Sequence, residues 1–216
     1  MEEAQREGLL GLVGNTPLVE LKQLAPKPDI RIFAKLEGQN PSGSVKDRIV
    51  LAMLEAAEAR GDLLPGATIV EASTGNTAIA LAALGPQKGY HVRVVLPRGI
   101  VPSIPDVLDL YGADIEWCEP EGGMRGAIQR AQVLAQQAGY QALGQFTERA
   151  NLECHYETTG YEIAESLDRV DVFVSGIGTG GTIMGVSQRL RERWPEVRVV
   201  GVEPRLGERL QGLRSL

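Results

Sequence analysis

Short, β-branched apolar runs alternate along this chain with segments whose apolar residues recur at helical spacing, and that alternation restricts the fold more than any other feature. The runs Ile30 to Leu36, Thr68 to Ala72, Val92 to Leu96, Ile115 to Cys118, Val170 to Ser175 and Val197 to Val202 read as buried parallel strands. Between them, Ile49–Met53–Leu54–Ala57, Ala78–Ala82–Ala83, Ile128–Ala131–Leu134–Ala135 and Ile183–Val186–Leu190 carry the period of a helix. Strand and helix in turn, with short links, make βαβ units. The expected fold is therefore α/β, with mostly parallel sheet flanked by helices on both faces. At 216 residues the chain suits one large or two small domains and can bury a core without a disulfide or metal staple. Gln39-Asn40-Pro41-Ser42-Gly43-Ser44 is loop chemistry. Three prolines and a glycine between Leu96 and Pro105 speak against a regular helix before about Asp106. The pattern weakens again from Gly144 to Asn151, where the chain is expected to cross between lobes.

Charge and composition narrow the functional classes. A net charge of −6 and a pI near 5.1 disfavour a nucleic-acid partner, because phosphates attract basic surfaces. No apolar run reaches the ~20 residues of a membrane span. The polar, acid-rich start from Met1 to Glu7 resembles neither a secretory signal nor a transit peptide, so a cytoplasmic protein is expected. Cys118 and Cys154 are far apart and read as reduced thiols. His91 and His155 are isolated, with no zinc spacing, and no metal site is expected. Glycine, at 26 of 216 residues, is well above the usual ~7% and points to tight turns and ligand loops.

Three loops have the residue types for chemistry. In Pro41-Ser42-Gly43-Ser44-Val45-Lys46-Asp47-Arg48, Ser44 can cap a helix whose first turn holds Lys46. The macrodipole opposes a cation there, which favours the neutral amine needed for a nucleophile; a solvated surface lysine fits the same feature. Glu71-Ala72-Ser73-Thr74-Gly75-Asn76-Thr77 follows a strand and precedes an apolar helix. Its hydroxyls, amide and backbone N–H groups suit a carboxylate or phosphate, and an ordinary helix cap by Ser73, Thr74 or Asn76 is the alternative. Gly176-Ile177-Gly178-Thr179-Gly180-Gly181-Thr182 can wrap an anion at the positive end of a helix. It also matches G-x-G-x-x-G, with Glu203 about 20 residues on, so a nicotinamide-dependent oxidoreductase using Gly176 to Gly181 stays open at this point.

Taken together, the loops resemble the cysteine synthase (O-acetylserine sulfhydrylase) family of fold type II pyridoxal-phosphate enzymes, the B-type synthase most of all. The resemblance runs through Gly14-Asn15-Thr16-Pro17-Leu18, Lys35 to Arg48, the Ser73 to Thr77 loop and Gln145-Phe146. It continues through His155-Tyr156-Glu157-Thr158-Thr159-Gly160 and Gly178 to Thr182, ending at Gly201-Val202-Glu203-Pro204. It implies two lobes, each a mostly parallel sheet flanked by helices as in the tryptophan synthase β chain, with pyridoxal 5′-phosphate between them. Residues 1–38 and 149–216 would belong to the larger lobe and 39–148 to a smaller, mobile one. Lys46 would bond covalently to the cofactor aldehyde and later serve as base. Asn76 would bind the ring's 3′ oxygen, and Gly178, Thr179, Gly180, Gly181 and Thr182 the phosphate. Ser73, Thr74, Asn76 and Thr77, with Gln145, would hold the substrate carboxylate. The implied reaction is β-replacement, forming L-cysteine from O-acetylserine or a similarly activated serine and sulfide or another sulfur donor, in a cytoplasmic homodimer without nucleic-acid or membrane partners. A serine or threonine dehydratase, or another lyase, of the same cofactor class is the related alternative.

The sequence departs from that family in several places. Members continue beyond this chain and supply a late Ser-Gly serine to the pyridine nitrogen. That role is not carried onto Ser215, and the C-terminal part of the larger lobe is expected to be missing from the sequence as given. Ser73-Thr74 reverses the usual order, Val101 to Pro105 replaces a polar helix start, Gly85-Pro86 interrupts a helix, and Tyr161 stands where proline is usual.

Overall fold

Thr68–Ala72 (β3), His91–Pro97 (β4), Asp114–Cys118 (β5) and Tyr140–Gln141 (β6) pair in parallel as one sheet in the order β5-β4-β3-β6. The computed structural model of the chain describes residues 8–144 and 149–205, with Glu208 and Leu213. Because side chains alternate across a strand, the two faces of this sheet feed two separate cores. Ile69, Val92, Val94 and Leu96 pack with α1 (Lys46–Arg60), α2 (Asn76–Leu84) and α3 (Ser103–Leu110). Val70, Ala72 and Val95 meet Ala127, Ala131 and Leu134 of α4 (Gly123–Leu134) on the other side. Helices on both faces leave the middle strands dry, which is why they read as continuous apolar runs rather than alternating ones.

A second parallel pair, β7 (Val172–Gly176) and β8 (Arg198–Val202), is joined through α7 (Gly181–Arg193). Phe173 faces a core built with Ile163, Val186, Leu190 and Val197, while Val172 and Val174 on the opposite face are 50% and 58% exposed. Ahead of β7 a continuous helical stretch runs through α5 (Ala150–His155), a wider π-turn (Tyr156–Gly160) and α6 (Tyr161–Ser166). The π-turn lies hard against α7. A β-carbon on Gly185 would run into the Leu152 carbonyl and come within 2.8 Å of the Tyr156 nitrogen, so only glycine lets the two backbones approach this far. Arg189 of α7 lies over the rings of Tyr156 and Tyr161, at 4.9 and 5.2 Å, and holds the same contact from outside.

The α/β architecture follows the expectation, and three local readings are corrected. The runs Ile115 to Cys118, Val170 to Ser175 and Val197 to Val202 form parallel strands but not buried ones, because β5 is a sheet edge and one face of the β7–β8 pair is open. Ile30 to Leu36 does not form a buried parallel strand: the strand is only Phe33–Lys35 (β2), half-buried, and it runs antiparallel to Leu18–Glu20 (β1). A hairpin-like pair on the outside of the fold carries no alternation signal at three residues a strand. The helix after β4 starts at Ser103, not near Asp106. Pro105 sits in its first turn, where no backbone N–H has an intrahelical partner to lose.

Candidate functional site

Lys46 opens α1, and what holds that helix in place is a buried charge network. Val45, not the expected Ser44, is the N-cap of α1, while the Ser44 hydroxyl accepts a hydrogen bond from the Lys46 N–H at 3.2 Å. The next residue, Asp47, is fully buried; it accepts from the Ser42 N–H at 2.6 Å and from the Ser42 hydroxyl, folding the loop back onto the helix start. Burial pushes the Asp47 carboxyl upward from its ordinary range, against the pull of those Ser42 hydrogen bonds. Arg48, 2% exposed, donates through Nε to Glu37 Oε2 at 2.7 Å, through Nη1 to Glu162 Oε1 at 2.6 Å and through Nη2 to Glu162 Oε2 at 2.8 Å. Nη2 also reaches Glu37 Oε1 and Thr16 Oγ1, and Lys35 Nζ lies 2.5 Å from Glu162 Oε2. Asn40 ties Glu37 to Gly14, and the Asn15 N–H donates to Glu162. One guanidinium thus clamps α6, the turn after β2 and the Gly14–Thr16 segment to the first turn of α1.

The glycine loop, 176–180, leads from β7 into α7. Gly180 occupies the N-cap position at φ 87°, a left-handed conformation that glycine alone takes at low cost, and no side chain caps the helix among the described residues. Asn151 donates from Nδ2 to Thr179 Oγ1 at 3.0 Å, which leaves the Thr179 proton for another acceptor. Thr182, in the first turn, lies 3.1 Å from His155 Nε2, and His155 Nδ1 lies 3.0 Å from Thr159 Oγ1. His155 is 1% exposed. Burial pushes it down to about 3, with the charges of Lys46 and Arg48 adding and Glu37 opposing. His155 thus lies on α5, which packs against both α1 and α7, and its neutral ring bridges Thr159 and Thr182.

The second loop ends β3 and opens α2, which packs on the lysine helix. Gly75 is its N-cap, and neither Ser73, Thr74 nor Asn76 caps α2 among the described residues, so the ordinary capping alternative is not realised. Ser73 and Thr77 are buried, Thr74 and Gly75 half-buried and Asn76 exposed; the Ser73 hydroxyl oxygen accepts from the Gly75 N–H at 3.4 Å. Gln145 lies outside the described residues. Glu203 follows β8 and is exposed, as the dinucleotide spacing would require, but that alternative explains neither Lys46 nor the Ser73 loop.

Two groups, buried His155 and half-buried Glu162, give the site a pH-dependent stability. The unfolded chain protonates His155 near its ordinary 6.5, whereas the folded protein resists until about 3. Burial alone would raise Glu162, but hydrogen bonds from Arg48 and Lys35 outweigh it and hold the carboxyl down at about 2 against an ordinary 4.5. In both windows the unfolded state binds more protons, so acid favours unfolding. Stability is expected to fall as pH drops below 6.5, more steeply below 4.5. Urea midpoints across pH 7 to 4 check it, and His155→Gln should flatten the upper part of that slope.

Comparison with known proteins shows which family the chain resembles in sequence and fold. Residues 9–215 match the family described as pyridoxal-phosphate dependent enzyme. Cysteine synthase B of Pseudomonas aeruginosa is 43% identical over 203 residues, covering 94% of this chain and 68% of that protein. A Staphylococcus aureus cysteine synthase is 38% identical over 214 residues, covering 98% and 69%. Among solved structures, O-ureido-L-serine synthase superposes with a TM-score of 0.91 at 38% identity, covering 96% of this chain and 69% of the other. Cysteine synthase from Entamoeba histolytica superposes with a TM-score of 0.89 at 33% identity, covering 100% and 67%. These matches do not favour the nicotinamide alternative. With a family match over residues 9–215 and relatives 38–43% identical over most of its length, the chain belongs to the pyridoxal-phosphate dependent enzymes.

Proposed function

We propose that this chain carries out pyridoxal-phosphate dependent β-replacement, converting O-acetylserine, or a similarly activated serine, and sulfide into L-cysteine and the departing acid. The observation that supports the reading is α5, which packs against both α1, headed by Lys46, and α7, headed by the glycine loop, with His155 bonded to Thr182. The cofactor fits there on the chain's own chemistry. A 13-residue helix start that no side chain caps among the described residues, with a left-handed glycine and two threonine hydroxyls, suits a phosphate dianion, and a lysine at the head of α1, a helix packed on the same α5 as α7, suits an aldehyde. In this reading Gly178, Thr179, Gly180, Gly181 and Thr182 hold the phosphate, Asn76 meets the ring's 3′ oxygen, and Lys46 anchors the cofactor.

When bound, the cofactor supplies the electron sink for bond breaking at the amino acid's Cα. The protein supplies the rest. Ser73, Thr74, Asn76 and Thr77, with Gln145, grip the substrate carboxylate and fix which Cα bond is presented. Lys46 Nζ would serve as the base for the Cα proton. Residues 39–148 form the smaller lobe in this reading, and its closure on the carboxylate keeps water from the reacting atoms. The transferase assignment, a homodimer and a cytoplasmic setting belong to the same proposal; among the described residues no helix is long and apolar enough to cross a membrane.

Purified protein given pyridoxal phosphate, O-acetylserine and sulfide is expected to gain visible absorbance and to release cysteine and acetate in equal amounts. An oxo acid with ammonia instead of cysteine would move the assignment to a dehydratase. Absence of any cofactor absorbance would sink both.

A further inference from the structure

The hydrogen bonds around His155 fix more than its position; they fix where its proton sits. A neutral imidazole has one donor and one acceptor nitrogen. Thr159 is 3% exposed, so its hydroxyl must place its proton on an acceptor, and the partner it has among the described residues is His155 Nδ1 at 3.0 Å. Nδ1 therefore accepts, and the ring hydrogen is on Nε2, aimed at Thr182 Oγ1 3.1 Å away. Thr182 accepts that hydrogen, so its own proton is left to be donated. Thr182 is only half-buried, in the first turn of α7, on the helix end where no side chain caps the N–H groups among the described residues. The opposite tautomer would take the Thr182 proton and turn lone pairs toward any anion at that helix end.

We propose that His155 is a positioning residue that, as the Nε2–H tautomer, orients the Thr182 hydroxyl to donate to the cofactor phosphate. The relay runs Thr159 to His155 to Thr182 to phosphate, with every donor pointing the same way, so each bond polarises the next. The proposal rests on the reading that the 176–182 segment holds the phosphate. It assigns His155 no contact with the substrate or the reacting atoms.

The test compares pyridoxal 5′-phosphate with pyridoxal, which lacks the phosphate, as probes of the full chain and its variants, using dissociation constants and the phosphorus NMR shift of the bound phosphate. His155→Leu is expected to weaken pyridoxal phosphate about tenfold, to move the phosphorus resonance and to leave pyridoxal binding unchanged. His155→Gln, whose side-chain amide can donate from nearly the same point, should recover most of the affinity. Thr182→Val should weaken the phosphate form similarly, and the double variant should be no weaker than Thr182→Val alone. If Thr182→Val leaves phosphate affinity intact, the loop is not the phosphate site and the proposal falls with that reading. If Thr182→Val weakens it but His155→Leu does not, or if pyridoxal suffers equally, the positioning role alone is overturned. Should His155→Leu not fold, nitrogen NMR of His155 in the cofactor-loaded wild type decides: an Nε2–H ring sustains the proposal, and an Nδ1–H ring overturns it.

Discussion

Lys46→Ala is expected to lower turnover by at least about 10³-fold, the scale of losing a positioned base, and to abolish the borohydride-trapped protein–cofactor adduct altogether. The trapped adduct is the more telling measurement, because it reports the covalent role of the amine separately from its role in proton transfer. The fold should survive. Lys46 sits at the helix start and is not a member of the clamp that Arg48 makes with Glu37, Glu162 and Thr16. An unchanged circular dichroism spectrum with no adduct by mass is the expected outcome. An adduct that persists in Lys46→Ala would place the covalent site on another lysine and remove the main support for the proposed function.

Arg48→Ala should destabilise the fold more than a change at Lys46, His155 or Thr182. The guanidinium is paired with two carboxylates by short hydrogen bonds, and its removal leaves Glu37 and Glu162 facing each other with only Lys35 to balance them. Breaking a buried pair by deleting one partner costs about 3–5 kcal/mol. For a chain of this length that corresponds to a fall in Tm of roughly 6–20 °C. Arg48→Lys keeps the charge but cannot span both carboxylates, and should recover only part of the loss. Calorimetry distinguishes the two variants. If Arg48→Ala melts within about 2 °C of the wild type, the network is not holding α1 and its lysine in place.

The strands and loops that sequence reasoning located share one property: their signals are local. Thr68–Ala72 matches its apolar run residue for residue because both faces of that strand are covered by helices. The Ser73 and Gly176 loops stand out because glycine and hydroxyl residues are unusual between an apolar strand and an apolar helix. What stayed hidden depends on long separations. Glu162 meets Arg48 across 114 residues of chain, and nothing in Tyr161 to Ser166 marks one glutamate as the partner of a buried cation. His155 reads as an isolated histidine because both its partners, Thr159 and Thr182, are threonines with many other uses. The one available hint was Asp47-Arg48 at the head of an apolar helix. At helical spacing Arg48 shares a face with Leu51 and Ala52, an unfavourable place for a cation without a buried partner.

The π-turn at Tyr156–Gly160 has a consequence for how residues 150–166 can vary. The stretch has two clients: His155 at one end addresses α7, and Glu162 at the other addresses α1. In a regular helix each residue advances the phase by roughly 100°, so deleting one residue from the wide turn would swing everything after it by about that much. Glu162 would then point away from Arg48 while His155 stayed where it was. The length of this turn, more than the identity of its residues, sets the angle between the two ends, so a single-residue deletion here should be worse tolerated than most substitutions within it.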